Sequence, residues 1–134
     1  MPHIYSHRLD VRFRDCDPLG HVNNAVFLTY LEQARLQCWR ELWGFGGEAG
    51  SLVPGVIMAR AEIDYRKPAH YGQTLEIRIA LAAIGKTSFA YDYEIVDEEN
   101  RIVASARTVQ VMYDYETATP VPIPDDIRQK MHKS

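Results

Sequence analysis

The sequence predicts an α+β fold in which a curved antiparallel β-sheet wraps around one long central α-helix. Three observations carry this. The order of patterns is a strand, a long helix and then four long strands joined by short turns. The strands run well beyond the usual five or six residues, a length at which sheets curve strongly. The helix is apolar over most of its girth and so needs structure on most sides.

The first strand is read from Leu9, Val11 and Phe13, which alternate with Arg8, Asp10, Arg12 and Arg14. Asp15 and Asp17 share the parity of Phe13, so an unbent strand carries both carboxylates to the apolar face, whereas an early turn before Pro18 undoes that placement. The helix spans 24–43: Phe27, Tyr30, Leu31, Ala34, Cys38 and Leu42 recur at helical spacing, and Val26, Leu28, Leu36 and Trp39 widen the apolar surface. Asn23 or Asn24 serves as its N-cap and Gly44 as its stop, followed by loop composition through Ser51. Ala59, Ala61, Ile63 and Tyr65 form one face of the second strand, with Arg60, Glu62, Asp64 and Arg66 opposite. The next strands carry Leu75, Ile77, Ile79 and Leu81, then Phe89, Tyr91, Tyr93 and Ile95. A polar hairpin at Asp97–Asn100 leads to the last long strand, with Val103, Val109, Val111 and Tyr113, which Pro120, Pro122 and Pro124 end. Asp125 to Met131 forms a short terminal helix.

The 134 residues fit one domain, 1–134, and 46% hydrophobic with 25% charged residues is globular composition. A net charge of −3 gives no electrostatic case for nucleic acid. No apolar run approaches the roughly 20 residues that span a bilayer, and the N-terminal residues lack a signal-peptide core. Two cysteines make no disulfide framework. The expectation is a cytoplasmic domain without a membrane partner.

Function is concentrated in Asp15-Cys16-Asp17-Pro18-Leu19-Gly20-His21-Val22-Asn23-Asn24, immediately before the helix. A carboxylate, a glycine turn and an asparagine cap arrive in that order. This sets an acid or nucleophile beside helix N-terminal N–H groups, which attract the charge that develops on a carbonyl oxygen under attack. The pattern points to acyl chemistry.

That segment, the helical Tyr30-Leu31-Glu32-Gln33-Ala34-Arg35, and Ile63-Asp64-Tyr65-Arg66-Lys67-Pro68 with Tyr71-Gly72 and Ile84-Gly85-Lys86-Thr87-Ser88-Phe89 occur in one order along almost the whole chain. Together they resemble the hotdog-fold thioesterases of the 4-hydroxybenzoyl-CoA thioesterase type, in their acyl-CoA-hydrolysing branch. The resemblance implies a hotdog fold, homodimers joined edge to edge that can pair into homotetramers, and active sites at the dimer interface. It implies an acyl-CoA thioesterase without cofactor or metal, acting on a coenzyme A or acyl-carrier-protein thioester. Asp17 takes the position of the catalytic carboxylate, as nucleophile or general base, and the Asn24 backbone N–H polarises the thioester carbonyl. Gly20 permits the tight turn, and His21 is a candidate general acid or a loop-holding residue. Val22 and Asn23 complete the substrate-facing loop, the segment Ile57 to Ala61, with Met58, Ala59 and Arg60, is where the partner's contribution is expected, and Lys86 is a basic candidate for the coenzyme A nucleotide, as are Arg60, Arg66 and Lys67. His21-Val22-Asn23-Asn24 is closer to the fatty-acyl members and favours an aliphatic acyl group.

Other readings are weaker on physical grounds. A Cys16–His21 hydrolase is opposed by the two carboxylates flanking the thiol, which disfavour thiolate. Asp15, Asp17 and His21 lack a metal-ligand spacing. The paired aspartates of haloacid-dehalogenase-type phosphatases need alternating strands and helices, which this chain does not have. Glu32 is expected to pair with Arg35 at i+3. A hotdog hydratase or dehydratase and a non-catalytic acyl-CoA binding module remain as alternatives.

Overall fold

The computed structural model describes residues 3–44 and 55–133. Its elements are β1 (Tyr5–Asp10), α1 (Asn24–Cys38), β2 (Gly55–Tyr65), β3 (Thr74–Ile84), β4 (Ser88–Val96), β5 (Ile102–Asp114), β6 (Thr119–Pro120) and α2 (Asp125–His132). All strand pairs are antiparallel, in the order β1-β3-β4-β5-β2, with β6 added to β5. The sheet curls around α1, as the sequence predicts.

The two periods meet in one core. From the sheet come Leu75, Ile77 and Ile79 of β3, Phe89, Tyr91, Tyr93 and Ile95 of β4, and Ala104 and Met112 of β5; from α1 come Phe27, Tyr30, Leu31, Ala34 and Cys38. The outward positions of the same strands are charged, and Arg107 on β5 meets Asp92 on β4 at 2.7 Å. Alternation therefore fixes the register, since a one-residue slip would bury that charged face. Beyond Cys38 the helix widens into a π-helical turn, Trp39–Trp43, that buries both tryptophans, and Gly44 ends it at φ 75°. Only a residue without a side-chain penalty sits easily there. In α2, Ile127 and Met131 are buried with the same core.

Three expectations are corrected. The first strand stops at Asp10 instead of running through Phe13, and Phe13–Asp15 forms a 3₁₀ turn. The Asp15 carboxylate accepts the Arg12 N–H at 3.0 Å while the Asp15 N–H returns to the Arg12 carbonyl at 3.0 Å, a reciprocal closure that competes with strand extension. Phe13 is thereby turned outward, 79% exposed, and Asp15 inward. The parity argument for Asp15 and Asp17 fails with the strand. Second, the apolar surface of the helix is not covered all round: Leu28 and Leu36 of α1 and Leu42 of the following π-helical turn are exposed. Third, Glu32 and Arg35 form no ion pair among the described residues, because Arg35 turns into the core while Glu32 stays exposed.

On β2 the register shifts between Met58 and Arg60, so Ala59 interrupts the simple alternation read from the sequence. The expected loop after Gly44 lies outside the described residues over 45–51.

Candidate active site

The segment between β1 and α1 is built by backbone hydrogen bonds rather than by a continuing strand. The Asp17 N–H donates to the His21 carbonyl at 2.8 Å, and the Gly20 N–H donates to the Asp17 carbonyl at 2.9 Å, closing a turn. Gly20 has φ 83°, the left-handed region that glycine occupies without strain. The Asp17 side chain completes the turn: Oδ1 accepts from the Leu19 N–H at 2.9 Å and the His21 N–H at 3.3 Å. Its other oxygen, Oδ2, takes no hydrogen bond from the described residues and remains available on the cleft wall.

The turn is tied to the rest of the fold on both sides. The Val22 N–H donates to the Ala69 carbonyl at 2.8 Å, and the Asn23 N–H donates to the Asp15 carbonyl at 2.9 Å. Asn23 is the N-cap of α1, its Oδ1 accepting the Ala25 N–H at 2.9 Å. Asn24 is then the first helical residue, and its own N–H has no acceptor among the described residues. Its carbonyl accepts the Tyr65 hydroxyl at 3.0 Å, which draws the end of β2 against the start of the helix.

These contacts leave a cleft of about 300 Å³ walled by Asp17, His21, Val22, Asn24 and Phe27 on one side and by Tyr65, Arg66, Lys67 and Pro68 on the other. Asp17 and Asn24, the first residue of α1, thus border one space together with the cations Arg66 and Lys67. The arrangement can hold an acyl carbonyl against the N–H and present an oxygen nucleophile, or a carboxylate-held water, to its carbon.

Of the residues expected at the site, Asp17, His21, Val22 and Asn24 line this cleft, while Gly20 is not in its lining and shapes the turn beside it. Asn23 is beside it, its side-chain oxygen engaged in the cap. The His21 side chain packs edge-on against His70, ring centroids 4.9 Å apart, and the loop-holding hydrogen bonds run through its backbone. Met58, Ala59, Arg60 and Lys86 are not brought to this cleft within one chain. Met58 lies toward the other end of β2, Arg60 is ion-paired with Glu62, and the Lys86 carbonyl is held by Ile123 and Arg128. Tyr65 and His70 were not picked out for the site by sequence reasoning. Tyr65 lies at the end of an alternating strand and within the Ile63-Asp64-Tyr65-Arg66-Lys67-Pro68 segment of the resemblance, whereas His70 is marked only by its place in the segment that breaks the pattern.

A second carboxylate supports the site from beneath. Asp15 accepts the Tyr30 hydroxyl at 2.7 Å and the Arg12 guanidinium at 3.0 Å. Burial alone pushes its pKa up, but the bonds from the Arg12 side chain, the Tyr30 hydroxyl and the Arg12 N–H together hold it below the ordinary carboxylate value. Replacing Asp15 by Ala is expected to destabilise the fold by about 3 kcal/mol, since it orphans the buried Tyr30 hydroxyl as well as removing a charged acceptor. A melt should show the midpoint about 10 °C lower. The lowered pKa also fixes a pH dependence. Asp15 contributes stability above its unfolded pKa and loses that contribution as the pH falls below about 4 through the folded value. Acid melts of wild type and Asp15→Ala should therefore converge at low pH.

A curled antiparallel sheet wrapped on one long helix is the hotdog fold. The chain belongs to the thioesterase-like superfamily, whose family model matches residues 11–131. It is 30% identical over 128 residues to a 1,4-dihydroxy-2-naphthoyl-CoA hydrolase of Synechococcus elongatus, covering 92% of each chain. It is also 27% identical over 127 residues to the long-chain acyl-CoA thioesterase FadM of Escherichia coli, covering 94% of this chain and 96% of the relative. A solved thioesterase of Thermus thermophilus, complexed with coenzyme A and Zn, superposes with a TM-score of 0.84 at 32% identity, covering 97% of this chain and 98% of that one.

Proposed function

We propose that this protein hydrolyses an acyl-CoA thioester to the free acid and coenzyme A, with Asp17 supplying the attacking oxygen or activating water and the Asn24 N–H polarising the carbonyl. The observation that carries the reading is that one cleft is lined by Asp17, whose Oδ2 has no partner among the described residues, and by Asn24, whose helix N-terminal N–H has none among them either. As nucleophile, Asp17 forms an acyl anhydride and releases the thiolate; water then cleaves the anhydride and restores the carboxylate. As general base, it takes a proton from the water that adds to the carbonyl, and the same thiolate leaves. The N–H serves the carbonyl oxygen in either path. Arg66 and Lys67 at the rim suit the phosphates of coenzyme A.

The relatives are named for an aromatic and for a long-chain substrate, while His21-Val22-Asn23-Asn24 favours an aliphatic chain. Thiol release from short, medium and long acyl-CoA thioesters and one aryl thioester tests both the activity and the acyl class. Turnover above background on any of them supports the reading, and none on the whole panel removes it for coenzyme A thioesters.

The working unit is proposed to be a dimer joined through β2. This 11-residue strand is a sheet edge, and Met58–Glu62 are all exposed in one chain. An open edge of this length invites pairing with a second copy. Across such a two-fold, Met58–Arg60 and Lys86 of one protomer become available to the site of the other. Sedimentation velocity should give a dimer or tetramer mass; a monomer at micromolar concentration would overturn this assembly.

A further inference from the structure

We propose that Phe13 and Tyr71 form a stacking platform for the adenine of coenzyme A; the inference rests on the thioesterase reading above and places the far end of its substrate. Phe13 and Tyr71 are 79% and 64% exposed, and their rings meet edge to face, centroids 5.8 Å apart and planes at 89°. Apolar residues scattered singly over a protein surface are ordinary. Two large rings packed on each other in solvent form a patch, and such patches mark binding sites.

Both rings are held outward by the backbone. Phe13 opens the 3₁₀ turn whose Asp15 is buried against Arg12 and Tyr30, and that closure leaves Phe13 facing solvent. Tyr71 takes the second position of a tight turn from His70 to Gln73. The His70 N–H donates to Gln73 Oε1 at 2.7 Å, and the Gln73 N–H returns to the His70 carbonyl at 3.2 Å. Gly72, at φ 90°, supplies the left-handed third position that a type II turn requires. Its N–H reaches the Val11 carbonyl at 3.4 Å, which ties this turn to the chain just ahead of Phe13. The aromatic corner is therefore formed before anything binds, and little ordering is left for a ligand to induce.

Position and charge select the occupant. His21 lines the Asp17 cleft and its ring packs on His70, the residue before Tyr71. Lys67 and Pro68 line the same cleft, so the loop leads from the cations assigned to the diphosphate toward the ring corner. The four residues from Lys67 to Tyr71 span at most about 14 Å, the scale of a nucleoside joined to its diphosphate. Asp15 is paired with Arg12, and no carboxylate among the described residues pairs with Arg14, Arg66 or Lys67. An apolar corner among unpaired cations suits a ligand that is flat and anionic. An aliphatic group would use the bulk of the rings but not their faces, whereas a purine stacks on a ring face. This site needs a single protomer, while Lys86 reaches the cleft only across the proposed two-fold.

Calorimetry with coenzyme A and with 4′-phosphopantetheine, which lacks the nucleotide, tests this on wild type, Phe13→Leu and Tyr71→Leu. Leucine keeps apolar bulk and removes the flat ring, and a melt verifies that these exposed positions tolerate it. The wild type is expected to prefer coenzyme A, and each leucine variant to cut that preference about tenfold, with Tyr71→Phe retaining it. KM for an acyl-CoA should rise by the same factor in the leucine variants. Absence of turnover on every thioester, with the preference and its dependence on both rings intact, would sink the thioesterase reading and sustain this inference. No binding of coenzyme A, equal affinity of the wild type for the two ligands, or a preference that both leucine variants keep would overturn it. So would a preference that Tyr71→Phe loses as fully as Tyr71→Leu, or one that only Lys86→Ala removes, which would move the nucleotide to the turn between β3 and β4.

Discussion

Asp17→Asn is expected to lower kcat/KM for acyl-CoA hydrolysis by about 10³-fold while leaving the thermal midpoint close to wild type. The two oxygens of Asp17 have different environments, which is why the variant is informative. Oδ1 holds the turn by accepting the Leu19 and His21 N–H groups, and an asparagine keeps an oxygen for that purpose. Oδ2 has no partner among the described residues, and the substitution turns it into an amide nitrogen that neither attacks a carbonyl nor takes a proton from water. The loop should stay in place and the chemistry should stop. Circular dichroism and a melt verify the first, and thiol release measures the second. A variant that keeps more than about a tenth of wild-type turnover would assign the attacking group elsewhere, since a positioned base or nucleophile is worth at least about 10². A variant that unfolds would instead mean that Asp17 matters as a turn residue, and Asp17→Ser would then separate the roles by removing the carboxylate from a smaller side chain.

Much of this architecture is legible in the sequence because local and tertiary preferences agree. The helix from Asn24 reads through to Trp43 because its apolar spacing, its Asn23 cap and its Gly44 stop all mark the same segment. The long strands read as such because their inward and outward residues differ so sharply in polarity. The first strand misleads for a local reason. Leu9, Val11 and Phe13 alternate correctly, but Asp15 reaches back to the Arg12 N–H, and a short polar contact ends a pattern that hydrophobicity alone extends.

The site is legible where it is contiguous and hidden where it is assembled. Asp17, Gly20 and the helix start lie within eight residues and announce themselves by order. Tyr65 reaches the Asn24 carbonyl from 41 residues away, and no local pattern signals that. The inner face of β5 is hidden for another reason. Its odd positions carry the valines that draw the eye, while its core-facing even positions include Thr108 and Gln110, 0% and 1% exposed. Polar residues in that register become interpretable only once Tyr93 and Arg35 are seen to meet them.

Asn24→Pro is expected to cut kcat by about 10²-fold with the fold retained, whereas Asn24→Ala should change it little. The backbone N–H at the first helical position is the group assigned to the carbonyl oxygen, and proline is the substitution that deletes it alone. Proline is favoured at this position because its fixed φ suits the first turn and the missing N–H has no helical acceptor to lose. The residue before it must avoid helical geometry, and Asn23, at φ −61° and ψ 136°, already does. The Asn24 carbonyl that receives the Tyr65 hydroxyl is kept, so the junction of β2 with the helix survives. What changes is a donor at the developing oxyanion, with a ring carbon now near the place of its hydrogen. Loss of transition-state stabilisation reads out in kcat, while a ring that merely obstructs the acyl group reads out in KM. A folded Asn24→Pro protein with wild-type kcat would place the oxyanion donor on another group. A fall in kcat that Asn24→Ala shares would assign the effect to the asparagine side chain instead of to the helix N-terminus.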